Sequence, residues 1–304
     1  MIYLGVDIGG TNVKAAVVDH NGNLSDKNKK PTQEFVDTGN FTNALADFLA
    51  DFFERYPEIE KVGIGVPGTL SKDRKSLIEI ANIPDINKEP LGQLLADRFK
   101  SHKFWFENDA NLAALGEYYF GDGKKTKNFI FVTLGTGVGG SAIMDGHLFT
   151  GGDGNGMELG HVLVKNGLTL EQNIGKEGIM KRAKVLLKKD SKSALQHLDN
   201  YDPKQIAQEG LSGDKLAGKI FKEAGEYLGE ALVSAIRLLD IKNIMIGGGL
   251  AVGFDLIIDP LTKALNDNLT PYYVKNINVQ KAVLGNDAGI LGAAALCMEN
   301  EPGS

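Results

Sequence analysis

Two glycine-rich stretches in this chain combine backbone freedom with hydroxyl and amide donors. The first reads Asp7-Ile8-Gly9-Gly10-Thr11-Asn12 and the second Leu134-Gly135-Thr136-Gly137-Val138-Gly139-Gly140. Glycine has no side chain to block an approaching ligand, so successive backbone N–H groups in such a turn converge on an anion, and threonine adds a hydroxyl donor. Phosphate suits that chemistry. A glycine in a hairpin can also serve only to supply a positive φ angle, so a single turn is ambiguous, and the recurrence strengthens the phosphate reading. Neither stretch carries the Gly-Lys-Ser or Gly-Lys-Thr of a Walker A loop, and neither enters a helix as a dinucleotide-binding fingerprint does. A third cluster, Gly247-Gly248-Gly249, ends an apolar run. Three glycines let a flat ring or ribose lie against the backbone, with close strand-to-helix packing as the alternative.

The acidic and amide residues fall into three places. Asp7, beside the first turn, suits the water shell of a Mg²⁺ ion held by phosphates, or else caps the turn. Glu107-Asn108-Asp109-Ala110-Asn111 puts two carboxylates and two amides where a strand gives way to a helix, a place where capping alone welcomes acids. The densest polar run, Gly151 to His161, contains Glu158 and His161 at a spacing that one helical turn projects from the same face. Both can hydrogen-bond the hydroxyls of a polyol. No further ligand follows them at zinc spacing, and no glycosidase carboxylate pair is singled out. His20, His102, His147 and His197 lack such surroundings and read as surface or packing residues.

The elements that must hold these residues follow a repeated syntax. An apolar strand, a Gly/Thr turn, a second strand and a hairpin signal occur from Ile2 to Asn21-Gly22, and again from Asn128 to Asp145-Gly146. Helical spacing appears at Phe41 to Phe53, Pro90 to Phe99, Leu170 to Leu187, Asp214 to Leu239 and Asp287 to Met298. Strands are expected at Val62 to Val66, Lys103 to Phe106, Asn243 to Ile246 and Ile277 to Val283. Lys124 to Lys127 reads as a solvated loop, and the tail from Glu299 as frayed. The pattern predicts an α/β protein of two related domains with a cleft between them.

Composition narrows the function. The chain has 304 residues, a net charge of -6, 38 glycines but only 9 prolines. The acidic balance argues against a nucleic-acid partner, and the glycine excess is clustered rather than a sign of low complexity. The single cysteine, Cys297, excludes an internal disulfide and a multi-cysteine zinc site. No run approaches the roughly 18 apolar residues of a membrane span, and the start lacks a secretory signal, so a cytoplasmic protein without a membrane partner is expected.

Together these residues resemble the ROK family of sugar kinases, within the actin/hexokinase/Hsp70-like ATPase superfamily. The resemblance spans nearly the whole chain. It rests on Asp7 to Asn12, Gly65-Val66-Pro67-Gly68, Glu107 to Asn111, Leu134 to Gly140, Glu158 to His161, Gly247 to Gly249, and Leu284-Gly285-Asn286-Asp287-Ala288-Gly289 in that order. It implies two actin-like (ribonuclease H-like) domains, one from 1–107 with 287–304 and the other 108–286, with the active site in the cleft. It implies ATP and Mg²⁺ as cofactors, with Asp7 reaching the metal through water, the phosphates on Gly9, Gly10, Thr11 and Asn12 and on Gly135, Thr136 and Gly137, and the adenosine over Gly247, Gly248 and Gly249. Asn82, Asn108, Asp109, Glu158 and His161 would hold the sugar, with Asp109 as catalytic base.

One departure stands out. The family's Gly-His usually precedes a cysteine-rich zinc loop; here His161 runs through Val162 to Leu168 directly to Thr169-Leu170-Glu171, so no structural zinc is expected. Glu171 aligns with the end of the missing loop and is carried over as a further sugar-contacting carboxylate. Packing by Val162, Leu163 and Leu170 is expected to replace the metal in orienting His161. The implied activity is transfer of phosphate from ATP to the 6-hydroxyl of glucose, with N-acetylmannosamine, N-acetylglucosamine, fructose or allose as alternative sugars. The family's repressors carry an N-terminal helix-turn-helix, for which a first motif at Asp7 leaves no room; a silent sugar-binding protein is the remaining competitor. A homodimer is expected, with a tetramer left open.

Overall fold

The computed structural model describes residues 1–80, 83, 89–188, 192–197 and 202–300. Its strands are β1 (Ile2–Ile8), β2 (Asn12–Asp19), β3 (Leu24–Pro31), β4 (Lys61–Val66), β5 (Thr69–Leu70), β6 (Leu77–Glu79), β7 (Lys103–Asn108), β8 (Phe129–Leu134), β9 (Val138–Met144), β10 (His147–Leu148), β11 (Asn243–Gly247) and β12 (Asn278–Lys281). Its α-helices are α1 (Thr32–Val36), α2 (Phe41–Arg55), α3 (Leu91–Arg98), α4 (Asp109–Phe120), α5 (Leu170–Ile174), α6 (Lys176–Leu187), α7 (Pro203–Leu211), α8 (Lys215–Leu239), α9 (Phe254–Asn268), α10 (Pro271–Val274) and α11 (Ala288–Glu299). Among the described residues, no helix is long and apolar enough to cross a membrane.

The chain divides into two compact units, 1–127 with 147–156 and 286–304, and 128–146 with 157–285. These bounds differ from the lobes expected at 1–107 with 287–304 and at 108–286, and α4 packs on α11 inside the first unit. Glycines allow that approach: a Cβ on Gly292 would lie 1.7 Å from the Leu112 carbonyl oxygen, and one on Gly116 would lie 2.4 Å from that of Ala288.

In the first unit the sheet order is β3-β2-β1-β4-β7, antiparallel across β3, β2 and β1 and parallel from β1 through β4 to β7. Strand alternation assigns its faces. Leu4, Val6, Ile8, Val62, Ile64 and Val66 join one core with Leu45, Leu49 and Phe52 of α2. Gly5 and Gly63 alternate with them and let the α11 backbone descend on the opposite face, where a Cβ would sit 2.3 Å from the Ile290 oxygen and 1.9 Å from the Ala293 oxygen.

The second unit repeats the plan, with β9 antiparallel to β8, β11 parallel to β8 and β12 parallel to β11. Thus β8, β9, β11 and β12 correspond to β1, β2, β4 and β7, as the repeated syntax predicts. Against these strands packs a helical layer in which α8 lies on α9 through Gly225 and Gly229.

The three longest elements without a clear sequence signal are β3, α7 and α9. β3 is a polar edge strand, Leu-Ser-Asp-Lys-Asn-Lys-Lys-Pro, whose lysines suit an unpaired edge but hide the strand signal. α9 has Pro260 inside it, which breaks the helical pattern. α7 opens with an Asp202 capping box and Pro203 in its first turn. The helix expected over Leu170 to Leu187 is two helices, α5 and α6, separated by Gly175.

Candidate active site

Each glycine-rich turn joins two antiparallel strands of its unit. In the first, the Gly9 N–H donates to the Asn12 oxygen at 2.9 Å, and the Thr32 hydroxyl, at 2.6 Å, donates to the Gly9 oxygen. Gly10 and Thr11 form an exposed tip whose backbone N–H groups have no protein acceptor among the described residues. In the second, the Gly135 N–H donates to the Gly137 oxygen at 2.9 Å and leaves Thr136 exposed at the tip. The α6 N-terminus meets this turn, its Lys176 N–H donating to the Thr136 oxygen at 3.0 Å. Exposed tip amides beside a helix N-terminus are a setting that favours an anion.

Asp7 lies opposite Lys14 in the β1–β2 register, and the Lys14 ammonium donates to its Oδ2 at 2.8 Å. A carboxylate so engaged suits the water shell of a phosphate-bound cation better than direct ligation. Lys14 escaped the sequence reading; the signal that finds it is the antiparallel register itself, which puts both charges on one face.

The triple-glycine cluster has strong packing reasons for its composition. Gly248 holds φ +85, and a Cβ there would lie 2.4 Å from the Leu134 oxygen. At Gly247 a Cβ would strike the Phe131 ring at 2.8 Å, while at Gly249 it would meet the Lys204 side chain at 3.2 Å. The first two therefore satisfy the packing alternative on their own, and Gly249 is the one that faces a flexible cation.

The acidic motif ends β7 and begins α4. Asn108 is the N-cap, its Oδ1 accepting from Ala110 N–H at 2.9 Å and Asn111 N–H at 3.3 Å, as helix-start chemistry requires. Its Nδ2 donates at 3.2 Å to the oxygen of Gly68, which explains the place of the Gly65 to Gly68 motif. Asp109 opens the helix with Oδ1 accepting from the Ala110 N–H at 2.9 Å. Behind them Glu107 is buried, accepting from the Asn108 N–H at 2.8 Å and Asn111 Nδ2 at 2.9 Å, with the Arg74 guanidinium 3.1 Å away. Burial pushes the Glu107 carboxyl above the ordinary glutamate range, against the pull of Asn111, Arg74 and the Asn108 amide. Arg74 was not singled out from sequence, since a lone arginine in a polar loop carries no motif.

In the second unit Glu158 and His161 share a 3₁₀ turn, the His161 N–H donating to the Glu158 oxygen at 3.0 Å. Their side chains are 52% and 69% exposed, with Nδ1 and Oε2 3.8 Å apart, so both polar ends are available to a ligand. The turn rests on β9 through Gly160, where a Cβ would lie 2.1 Å from the Val138 oxygen.

A short hairpin follows His161, in the place that the family's usual cysteine-rich loop would take. Leu163 pairs with Thr169, the Val164 N–H donates to Leu168 at 3.0 Å, and the Leu170 N–H to Val162 at 2.9 Å. Gly167 makes the bend at φ +77, and Thr169 with Gln172 forms a capping box on α5. The expected packing by Leu163 is corrected: that side chain is 68% exposed, while its neighbour Val164 and Leu170 are buried. Alternation within the hairpin turns one of each adjacent pair outward.

Glu171 lies on α5 with its Oε2 accepting from the Val138 N–H at 2.8 Å, directly behind the second glycine-rich turn. A Cβ on Gly137 would collide with that carboxylate at 2.2 Å. The structure thus joins Glu171 to the Gly135 to Val138 turn, and unites Asn108, Asp109, Glu107 and Arg74 in the first unit. Asn82 lies outside the described residues.

A glycine-rich hairpin turn repeated at equivalent places in two related α/β units fits the actin-like fold of ATP-dependent phosphotransferases. The chain belongs to the ROK family, which it matches over residues 3–300. It is 34% identical to the glucokinase of Streptomyces coelicolor over 99% of both chains. A solved structure from Cytophaga hutchinsonii superposes with a TM-score of 0.91 at 39% identity, over 98% of this chain and 100% of the other. The ROK family glucokinase of Streptomyces griseus, solved with glucose and AMPPNP, superposes with a TM-score of 0.85 at 29% identity, over 99% and 100%.

Proposed function

We propose that this protein is a glucokinase that transfers the γ-phosphoryl group of ATP to the 6-hydroxyl of glucose. The observation that carries this reading is the Asn108-capped start of α4, which presents Asp109 at a helix N-terminus in a chain that also holds two phosphate turns. Asp109 would accept the hydroxyl proton as the sugar oxygen bonds to the γ-phosphorus and the bond from phosphorus to the bridging oxygen breaks, releasing ADP. The tip amides of Gly10, Thr11, Thr136 and Gly137 would stabilise the charge on the phosphates. Mg²⁺, when bound with the nucleotide, neutralises further phosphate charge, and Asp7 would hold its water shell. Asn108, through its second Nδ2 hydrogen, and Glu158, His161 and Glu171 would hydrogen-bond the sugar hydroxyls.

Glu171 has two oxygens for two tasks, one holding the Val138 N–H and the other offered to the sugar. Loss of a charge-assisted bond at the phosphate turn is worth on the order of a tenfold change in affinity. Glu171→Ala should therefore raise the KM for ATP as well as for glucose. Glu171→Gln retains an acceptor for Val138 and should raise only the glucose KM. Equal ATP KM values in wild type and Glu171→Ala would remove the turn-holding role.

The reading is tested by an ADP-release assay with Mg-ATP against glucose, mannose, fructose, N-acetylglucosamine and N-acetylmannosamine. Highest kcat/KM on glucose is the expected result. Preference for an N-acetylhexosamine would reassign the substrate, and no turnover on any sugar would overturn the reading.

A further inference from the structure

We propose that Arg74 is a positioning residue for the sugar-phosphorylating end of α4, acting through the buried carboxylate of Glu107. The inference rests on the role assigned above to Asp109. Arg74 stands in the loop between β5 and β6, held at φ +58, a left-handed conformation uncommon for a residue with a side chain. The loop is braced for it: the Arg74 N–H donates to the Ser71 oxygen at 2.9 Å, and the Ser71 hydroxyl accepts from the Lys75 and Ser76 N–H groups at 3.2 and 3.0 Å.

From this loop the guanidinium reaches two partners. Nη2 lies 3.1 Å from Glu107 Oε2 and also donates to the Gly154 oxygen. Glu107 in turn holds the Asn108 N–H and the Asn111 side chain, which bracket Asp109 in sequence on the first turn of α4. The second tie has company. Asn155 accepts from the Leu70 N–H at 3.1 Å and donates to the Leu70 oxygen at 2.9 Å, so the 151–156 segment is bound to the same β5–β6 hairpin. That polar segment, rich in candidates for ligand contact, is thus committed in part to anchoring.

A buried carboxylate without its cation is costly, so the strand end would relax when Arg74 is removed. Misplacement by about 1 Å of a group near the chemistry costs up to roughly 100-fold in rate. Arg74→Met should accordingly lower kcat/KM for the sugar by about 30-fold or more, with the sugar KM raised, while the ATP KM stays within about twofold, since the linkage runs to the start of α4. Arg74→Lys keeps a charge for Glu107 but loses the fork, and should recover part of the loss. Arg74→Met with Glu107→Gln should be no worse than Arg74→Met alone, because the first substitution has already broken the linkage.

The experiment is steady-state kinetics of these variants beside Asp109→Ala, with thermal melting of each. Wild-type sugar kcat/KM in folded Arg74→Met would overturn the inference, as would a fall in kcat with both KM values unchanged, which reports only a smaller active fraction. If Arg74→Met does not fold, Arg74→Lys decides: a raised sugar KM at constant ATP KM supports the role and unchanged constants reject it. Turnover by Asp109→Ala instead defeats the assignment of Asp109, whatever Arg74 does. An inactive Asp109→Ala with kinetically normal Arg74 variants defeats only the inference.

Discussion

Asp109→Ala is expected to lose turnover by roughly three orders of magnitude while keeping measurable sugar binding, because a positioned general base contributes about 10²- to 10⁴-fold to proton transfer. The fold should survive the change. Asn108 remains to cap the helix through Ala110 and Asn111, and Glu107 remains buried behind it. The interaction of one carboxylate with a helix N-terminus, which the substitution removes, is worth about 0.3–1 kcal/mol. Steady-state kcat by ADP release and sugar affinity by calorimetry separate the two effects. A kcat within about tenfold of wild type would dismiss Asp109 as the base. Asp109→Asn, which preserves the shape and most hydrogen bonding, should be nearly as slow, since an amide does not accept the proton.

The largest effect on stability is expected at Gly292. A Cβ there would lie 1.7 Å from the Leu112 carbonyl oxygen, a backbone atom of α4 that side-chain rotation cannot move aside. Gly292→Ala must therefore push α4 from α11, and overpacking of this kind costs about 3 kcal/mol or more. At about 2–4 °C per kcal/mol for chains of this size, the melting temperature should fall by about 6–12 °C. Gly218 provides the contrast. It lies in α8 with open space around its Cβ position, so Gly218→Ala should gain about 0.5–1 kcal/mol from helix propensity. Melting curves of the two variants check both signs. A Gly292→Ala melt at the wild-type temperature would mean that the helices do not approach as described. Because α4 carries Asp109 at its first position, the Gly292 variant should also lose activity below its melting temperature.

The repeated strand-turn-strand syntax was readable because glycine, threonine and β-branched residues announce hairpins by local sterics alone. The Asn108 cap was readable for the same reason, since an N-cap is decided within a few residues. The polar strand β3 was not, because its pairing with β2 selects it rather than its own composition. Nor was the membership of α4: nothing near Asp109 in sequence says that Ala288–Glu299, far along the chain, will pack on it. Glu171 was found by its alignment with a missing loop, yet the hydrogen bond that defines it goes to Val138, a partner 33 residues away.

Local sequence carried the class of chemistry: two glycine-rich turns suited to phosphate, an acid at a helix start, a Glu158/His161 pair, and the lack of a cysteine loop. These depend on residue type and short spacing, where sterics and hydrogen-bonding capacity act over one turn of chain. Which groups those residues lean on follows from contacts made across the fold. The Lys14 ammonium on Asp7 follows from strand register, the Glu171 carboxylate on the second turn from the docking of α5, and the Arg74 guanidinium behind Asn108 from a loop folded back on β7. Such contacts join residues distant in sequence, and their strength comes from burial, which no local pattern records.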